Sequence, residues 1–243
     1  EEGHMANIED YLLWRGDLTF EQDEFNLVDN LILAELAYVD FKDIIPAVGS
    51  CEKITLKQAC DDFFELHDEE ELKLVKSFIW YAPFFMKKMA HTKRFADMLL
   101  GNYALYNNEE KQVQFGAFTA EPGDGSIYVS FMGTDDSLVG WKEDFNMSFI
   151  RPIPSQLEAA EYVNETIKYS RRKIRLGGHS KGGNLAIYAA VKAKPSLKRR
   201  IIAVYNNDGP GFDREMIESE EYRQMLPKIK TIVPEHSVVG MLL

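Results

Sequence analysis

The sequence predicts an α/β fold, a mostly parallel sheet flanked by helices and preceded by a helical N-terminal portion. Three observations point there. Strand and helix patterns alternate from Val113 onward, a glycine-rich turn sits where one of those strands meets a helix, and the residues before about 105 carry helical rather than alternating apolar spacing. With 243 residues and 45% hydrophobic content, the chain is long enough to bury a sizeable core without disulfides or metals. It has no internal repeat or low-complexity linker, so it is expected to form a single domain. Residues 1–4 read as a cloning remnant before a natural start at Met5, residues 5–104 as the helical part, and residues 105–243 as the sheet-forming part.

Taken in order, Phe25 to Phe41 places Leu27, Leu31, Ala34, Ala37 and Val39 on one approximate helical face. Leu56 to Leu100 has similar texture, with the acidic run Asp68 to Glu71 as a solvated helix surface. Trp80, Tyr81, Phe84, Phe85 and Met86 form an apolar cluster around Pro83, for core packing or for the wall of an apolar pocket. Alternating segments at Gln114–Thr119 and Ile127–Phe131, joined through Glu121 to Ser126, predict a hairpin. Next come a helix over Gln156–Tyr169, a strand at Lys173–Leu176 and a helix over Asn184–Lys192. A strand at Ile201–Tyr205, a helix over Arg214–Met225 and a strand at Ile229–Val233 complete the alternation. Repeated units of this kind imply parallel strands with helical crossovers.

Charge and cysteine content exclude several classes. The chain has 28 Lys+Arg against 39 Asp+Glu, a net charge of −11, which opposes binding to nucleic-acid phosphates. Cys51 and Cys60 are too few for a disulfide framework or a four-thiolate zinc site, and they read as free thiols in a reducing compartment. No apolar run is long enough to span a bilayer and no secretory leader opens the chain, so a cytoplasmic location is expected.

The segment GGHSKGGNLA, residues 177–186, holds Gly178, Ser180 and Gly182 in a Gly-x-Ser-x-Gly pattern between a strand and a helix. A strand that reverses abruptly into a helix strains the residue at the turn and needs neighbours without side chains. Such a turn lifts Ser180 above the sheet as a nucleophile and directs backbone N–H groups, that of Lys181 included, toward charge developing on a carbonyl. A glycine-rich turn with an incidental Ser is the bland alternative. A dinucleotide-binding loop is not, because the Gly-x-Gly-x-x-Gly pattern is absent.

With FMGTDDSLVGWKEDF at residues 131–145, this segment resembles the class 3 lipases of the α/β-hydrolases and a bacterial family of uncharacterised lipase-like proteins. The resemblance covers about residues 114–243 and implies an α/β-hydrolase-like sheet. It also implies that Thr134 lines an oxyanion hole, while Trp141 and Asp144 hold the loop. Met132 stands where the lipase pattern has Arg, which removes any ion pair an Arg would make. From the residues alone, Gly133 permits a tight turn and Thr134 offers an N–H and a hydroxyl. An ordinary strand-end turn capped by Asp135 or Asp136 is the alternative.

An activated Ser needs a His, and that His needs an acid to orient it. Asp208, in NNDGPGF after the strand ending at Tyr205, is the candidate acid; the resemblance favours the neighbourhood of Glu235 instead. His67 and His91 precede the Ser and read as surface residues, and His179 reads as packing or loop bonding beside it. Only His236 follows both Ser180 and Asp208, so it is the candidate base. The apolar run Val238–Leu243 leads to a competing expectation, in which the chain lacks a C-terminal segment carrying the base.

These residues together predict a serine hydrolase of carboxylic esters, a lipase or carboxylesterase working through an acyl-enzyme. The expected partner is a small-molecule or lipid ester, with no nucleic acid, no cofactor and no metal. The alternatives are a thioesterase or acyltransferase, and a non-catalytic hydrolase-fold binding module.

Overall fold

In a computed structural model the chain is described over residues 8–75, 80–108, 110, 113–134 and 152–233. There, seven strands form one sheet in sequence order: β1 (Ile54–Thr55), β2 (Leu99–Asn108), β3 (Val113–Glu121), β4 (Ser126–Phe131), β5 (Lys173–His179), β6 (Ile201–Asn207) and β7 (Ile229–Ile232). Neighbours from β1 to β4 run antiparallel and those from β4 to β7 parallel, so the sheet is mixed. The expected hairpin is the β3–β4 pair, with Phe118 opposite Ser130.

Period 2 explains how the sheet is covered. Along β4, Ile127, Val129 and Phe131 point to one face, and Tyr128 points to the other. The first face packs against α6 (Pro154–Thr166), α7 (Lys181–Lys192) and Met225 of α10 (Glu220–Met225), which belong to the connections between parallel strands. The second packs against α1 (Ile8–Arg15), α2 (Leu27–Leu36), α3 (Leu56–Leu66) and α5 (Ala82–Ala90). Both β3 and β4 are buried along their whole length as a result. Each large side chain removed from water there, such as Phe118 or Phe131, contributes about 2 to 3 kcal/mol. The short helices α4 (Glu69–Leu74), α8 (Pro195–Lys198) and α9 (Arg214–Glu218) complete the described α-helices, and a 3-10 turn at Leu226–Lys228 leads into β7.

Several elements differ from expectation. β1 and β2 begin before residue 105, so the boundary between helical and sheet-forming parts falls inside β2. Its register shifts between Gly101 and Ala104, and Asn102 has a φ of 54°, so an irregularity interrupts the alternation that would have revealed the strand. The helix expected over Arg214–Met225 is two helices, because Ser219 takes an extended conformation (φ −65°, ψ 146°) and its hydroxyl accepts the N–H of Tyr222. Of the face expected on α2 and just beyond it, Ala34, Ala37 and Val39 are buried and Leu27 is exposed, and the buried side also takes in Asp29, Asn30, Ile32, Leu33 and Leu36. Of the Trp80–Met86 cluster, Phe85 and Met86 are core and Trp80 is exposed. Phe84 lines a groove of about 920 Å³ with Leu12 and Leu13 of α1.

The buried polar face of α2 has partners. Asp29 and Arg94 have no exposed side-chain surface and meet bidentately, Nε to Oδ1 at 2.8 Å and Nη2 to Oδ2 at 2.6 Å. The same guanidinium donates to the carbonyls of Leu18, Thr19, Asp23 and Glu24 and lies over the Phe20 ring, which fixes the segment leading into α2. Asn26 opens α2 with a capping box, accepting from Val28 and Asp29 while Asp29 accepts the N–H of Asn26.

Candidate functional site

β5 ends at His179 and α7 begins at Lys181, so Ser180 is the whole of the turn between them. Its backbone sits at φ 54° and ψ −129°, a conformation that L-residues adopt only under constraint. The constraint is steric. A Cβ on Gly178 would lie 2.5 Å from the carbonyl carbon of Gly182 and 2.5 Å from the oxygen of Phe131, and one on Gly182 would lie 2.2 Å from that same oxygen. The glycines flanking Ser180 are therefore in contact with each other and with the end of β4, which lets the helix start directly above the strand.

The neighbouring strand end mirrors this. Asp208 follows β6 at once and has a φ of 58°. His179 and Asn207 are paired in the sheet, so Ser180 and Asp208 are each the next residue beyond a shared register. The N–H of Ser180 donates to the carbonyl of Asn207 at 2.9 Å, and the N–H of Asp208 donates to Ile232 at 2.8 Å. Two residues at positive φ with polar side chains thus stand side by side at the C-terminal edge of parallel strands, where ligands bind in open α/β sheets.

Buried amides hold both turns. Asn207 donates through its side chain to the carbonyl of Gly178 at 3.0 Å, and it exchanges hydrogen bonds with Asn30 of α2 at 2.7 and 3.1 Å. Tyr128 donates to the same Asn30 oxygen at 2.8 Å. Asn206 accepts from the N–H of Gly209 at 2.9 Å. Asn184 of α7 donates to the carbonyls of Pro210 and Gly211 and accepts from Gln156 of α6, which ties the loop after Asp208 to two helices. None of these residues stood out in the sequence. The signal was present in Asp29 and Asn30 among the apolar residues that open α2, and in the doubled Asn before Asp208.

The remaining candidates are placed as follows. Thr134 is half-buried and follows Gly133 just beyond β4. A Cβ on Gly133 would lie 2.6 Å from the carbonyl oxygen of His179, so this turn rests against the residue preceding Ser180. Met132 is core and packs on Gly116. Lys181 opens α7, and its buried side chain reaches Gln114, with Nζ 2.9 Å from the amide oxygen. His179 bonds through Nδ1 to the Tyr38 hydroxyl at 2.9 Å. Burial pushes its pKa down, and the negative charge of Asp208 offsets part of that, which favours neutral imidazole at neutral pH. His67 and His91 are exposed, at the C-terminal ends of α3 and α5. His236, Glu235, Asp135, Asp136, Trp141 and Asp144 lie outside the described residues. No group of three or more His, Cys, Asp or Glu able to hold a metal ion occurs among the described residues.

Fold and site together define an α/β protein with a strained Ser between a parallel strand and a helix. The family model described as Mbeg1-like matches residues 89–243, well over half of the chain, and the chain belongs to that family. No curated protein and no solved structure matches it. No helix among the described residues is long and apolar enough to cross a membrane.

Proposed function

We propose that this chain is a serine hydrolase of carboxylic esters, with an α/β-hydrolase-like fold and a class 3 lipase-like site. The observation that carries the reading is Ser180 as a one-residue turn at positive φ, closed in by Gly178 and Gly182 at the end of β5. The Ser180 Oγ attacks the ester carbonyl and passes its proton to a His. The alcohol leaves with that proton, and water then releases the carboxylic acid from the acyl-enzyme. The N–H of Lys181, at the start of a twelve-residue helix, and that of Thr134 receive the oxyanion. Asp208 supports this scheme as the acid, since it stands next to Ser180 across the sheet edge and its charge is felt at His179. His236 is the proposed base, in line with its place after both residues in the sequence.

A fluorophosphonate probe tests the reading, because it reacts quickly only with a Ser that has a base and an oxyanion hole around it. The wild-type chain is expected to be labelled at Ser180. Ser180→Ala should abolish labelling and ester hydrolysis while leaving the thermal midpoint nearly unchanged, since no cavity of consequence opens. His236→Ala should lower turnover by several orders of magnitude; unchanged turnover would assign the base elsewhere. A folded wild-type chain that resists the probe would exclude the hydrolase reading and favour a non-catalytic binding module.

A further inference from the structure

We propose that Tyr38 is a positioning residue for this site: its hydroxyl, held between the His179 imidazole and the main chain of Gly133, sets the distance between the Gly133–Thr134 turn and the Ser180 turn. The inference rests on the serine-hydrolase reading and adds a residue to it. Tyr38 follows α2, 7% exposed, in a segment that precedes the residues matched by the family model. Its hydroxyl lies 2.9 Å from Nδ1 of His179, and the two rings meet edge-on with centroids 6.0 Å apart. A Cβ on Gly133 would fall 2.2 Å from that hydroxyl and 2.6 Å from the carbonyl oxygen of His179. Gly133 is therefore pressed against two surfaces at once, the tip of Tyr38 and the main chain of β5. The proposed oxyanion donors follow the two contacting residues closely along the chain, Thr134 next to Gly133 and Lys181 two residues after His179.

A donor helps an oxyanion only when it is held within about 0.5 Å of the productive place. Removing the Tyr38 oxygen leaves a gap beside Gly133 and deprives His179 of its partner, so the two turns lose their common spacer. Tyr38→Phe keeps the ring and removes only that oxygen. Turnover of a short acyl ester and the rate of fluorophosphonate labelling should both fall about tenfold or more, up to the 100- to 1000-fold loss seen when one oxyanion donor is removed. KM should stay within about twofold, which a general loosening of the fold would not produce. The same test with His179 uses a pair of variants: His179→Leu, which offers Tyr38 no polar partner, should lose labelling as Tyr38→Phe does, and His179→Gln should recover part of it. If Tyr38→Phe does not fold, this pair decides. A labelled wild type with an equally fast Tyr38→Phe, or with equal rates in the two His179 variants, overturns the positioning role alone. An unlabelled wild type overturns the hydrolase reading and the positioning role with it.

Discussion

Ser180 is held where its own side chain gives it no help. Asp43, Asn102 and Asp208 share positive φ with it among the described non-glycine residues, and Asp and Asn tolerate that region because their short side chains bond locally. Ser has less of that tolerance, so the turn stores strain of about 1 to 3 kcal/mol, paid by the packing of Gly178 and Gly182 around it. Ser180→Gly is accordingly expected to raise the unfolding free energy by about 1 kcal/mol in urea titrations, since glycine adopts the same conformation without a Cβ penalty. Ser180→Ala should show no such gain. Equal stability of the two variants would mean that the turn is not strained.

At the scale of elements, α2 is both a packing surface and a frame. Asp29 meets Arg94, Asn30 meets Asn207 and Tyr128, and the Leu33 carbonyl accepts the Ser130 hydroxyl at 2.8 Å, so one helix is keyed to β4, through Arg94 to the segment that precedes α2, and to the edge of the site. Breaking a buried ion pair by removing one partner costs about 3 to 5 kcal/mol, and Arg94→Met should show a loss of that size by urea denaturation. Replacing both partners with apolar residues often restores stability when the pair stands alone. Here the guanidinium also bonds four carbonyls, so the double change Arg94→Met with Asp29→Leu is expected to recover little.

Across the whole molecule, the many buried phenols and one buried thiol set an alkaline limit. Burial pushes the Cys60 thiol up to about 11 and raises Tyr103, Tyr128, Tyr162 and Tyr205 above the usual tyrosine range. These groups are neutral when protonated and ionise first in the unfolded chain. Their contribution to stability is therefore fully present below about pH 9 and is lost as the pH climbs toward 11 and beyond. The urea midpoint should fall over that range, and Cys60→Ala should flatten the first part of the fall. At neutral pH, Cys51 is exposed and should react with a thiol reagent in the native state, while Cys60 reacts only after unfolding.

What the sequence determined by itself is local: the strand and helix alternation after Val113, the hairpin before Phe131, and a Gly-x-Ser-x-Gly turn between a strand and a helix. Each is written in residues close along the chain, as period 2, period 3.6 or a fixed spacing of glycines. What only the tertiary structure decided joins residues far apart. The irregular β2 pairs with β3 despite its broken alternation, and the polar side of α2 turns inward because Arg94, Asn207 and Tyr128 wait there. Tyr38 reaches His179 across 141 positions. A polar residue in an apolar helix is costly until its partner is known, and the partner is fixed by packing of the two sheet faces rather than by any pattern along the chain.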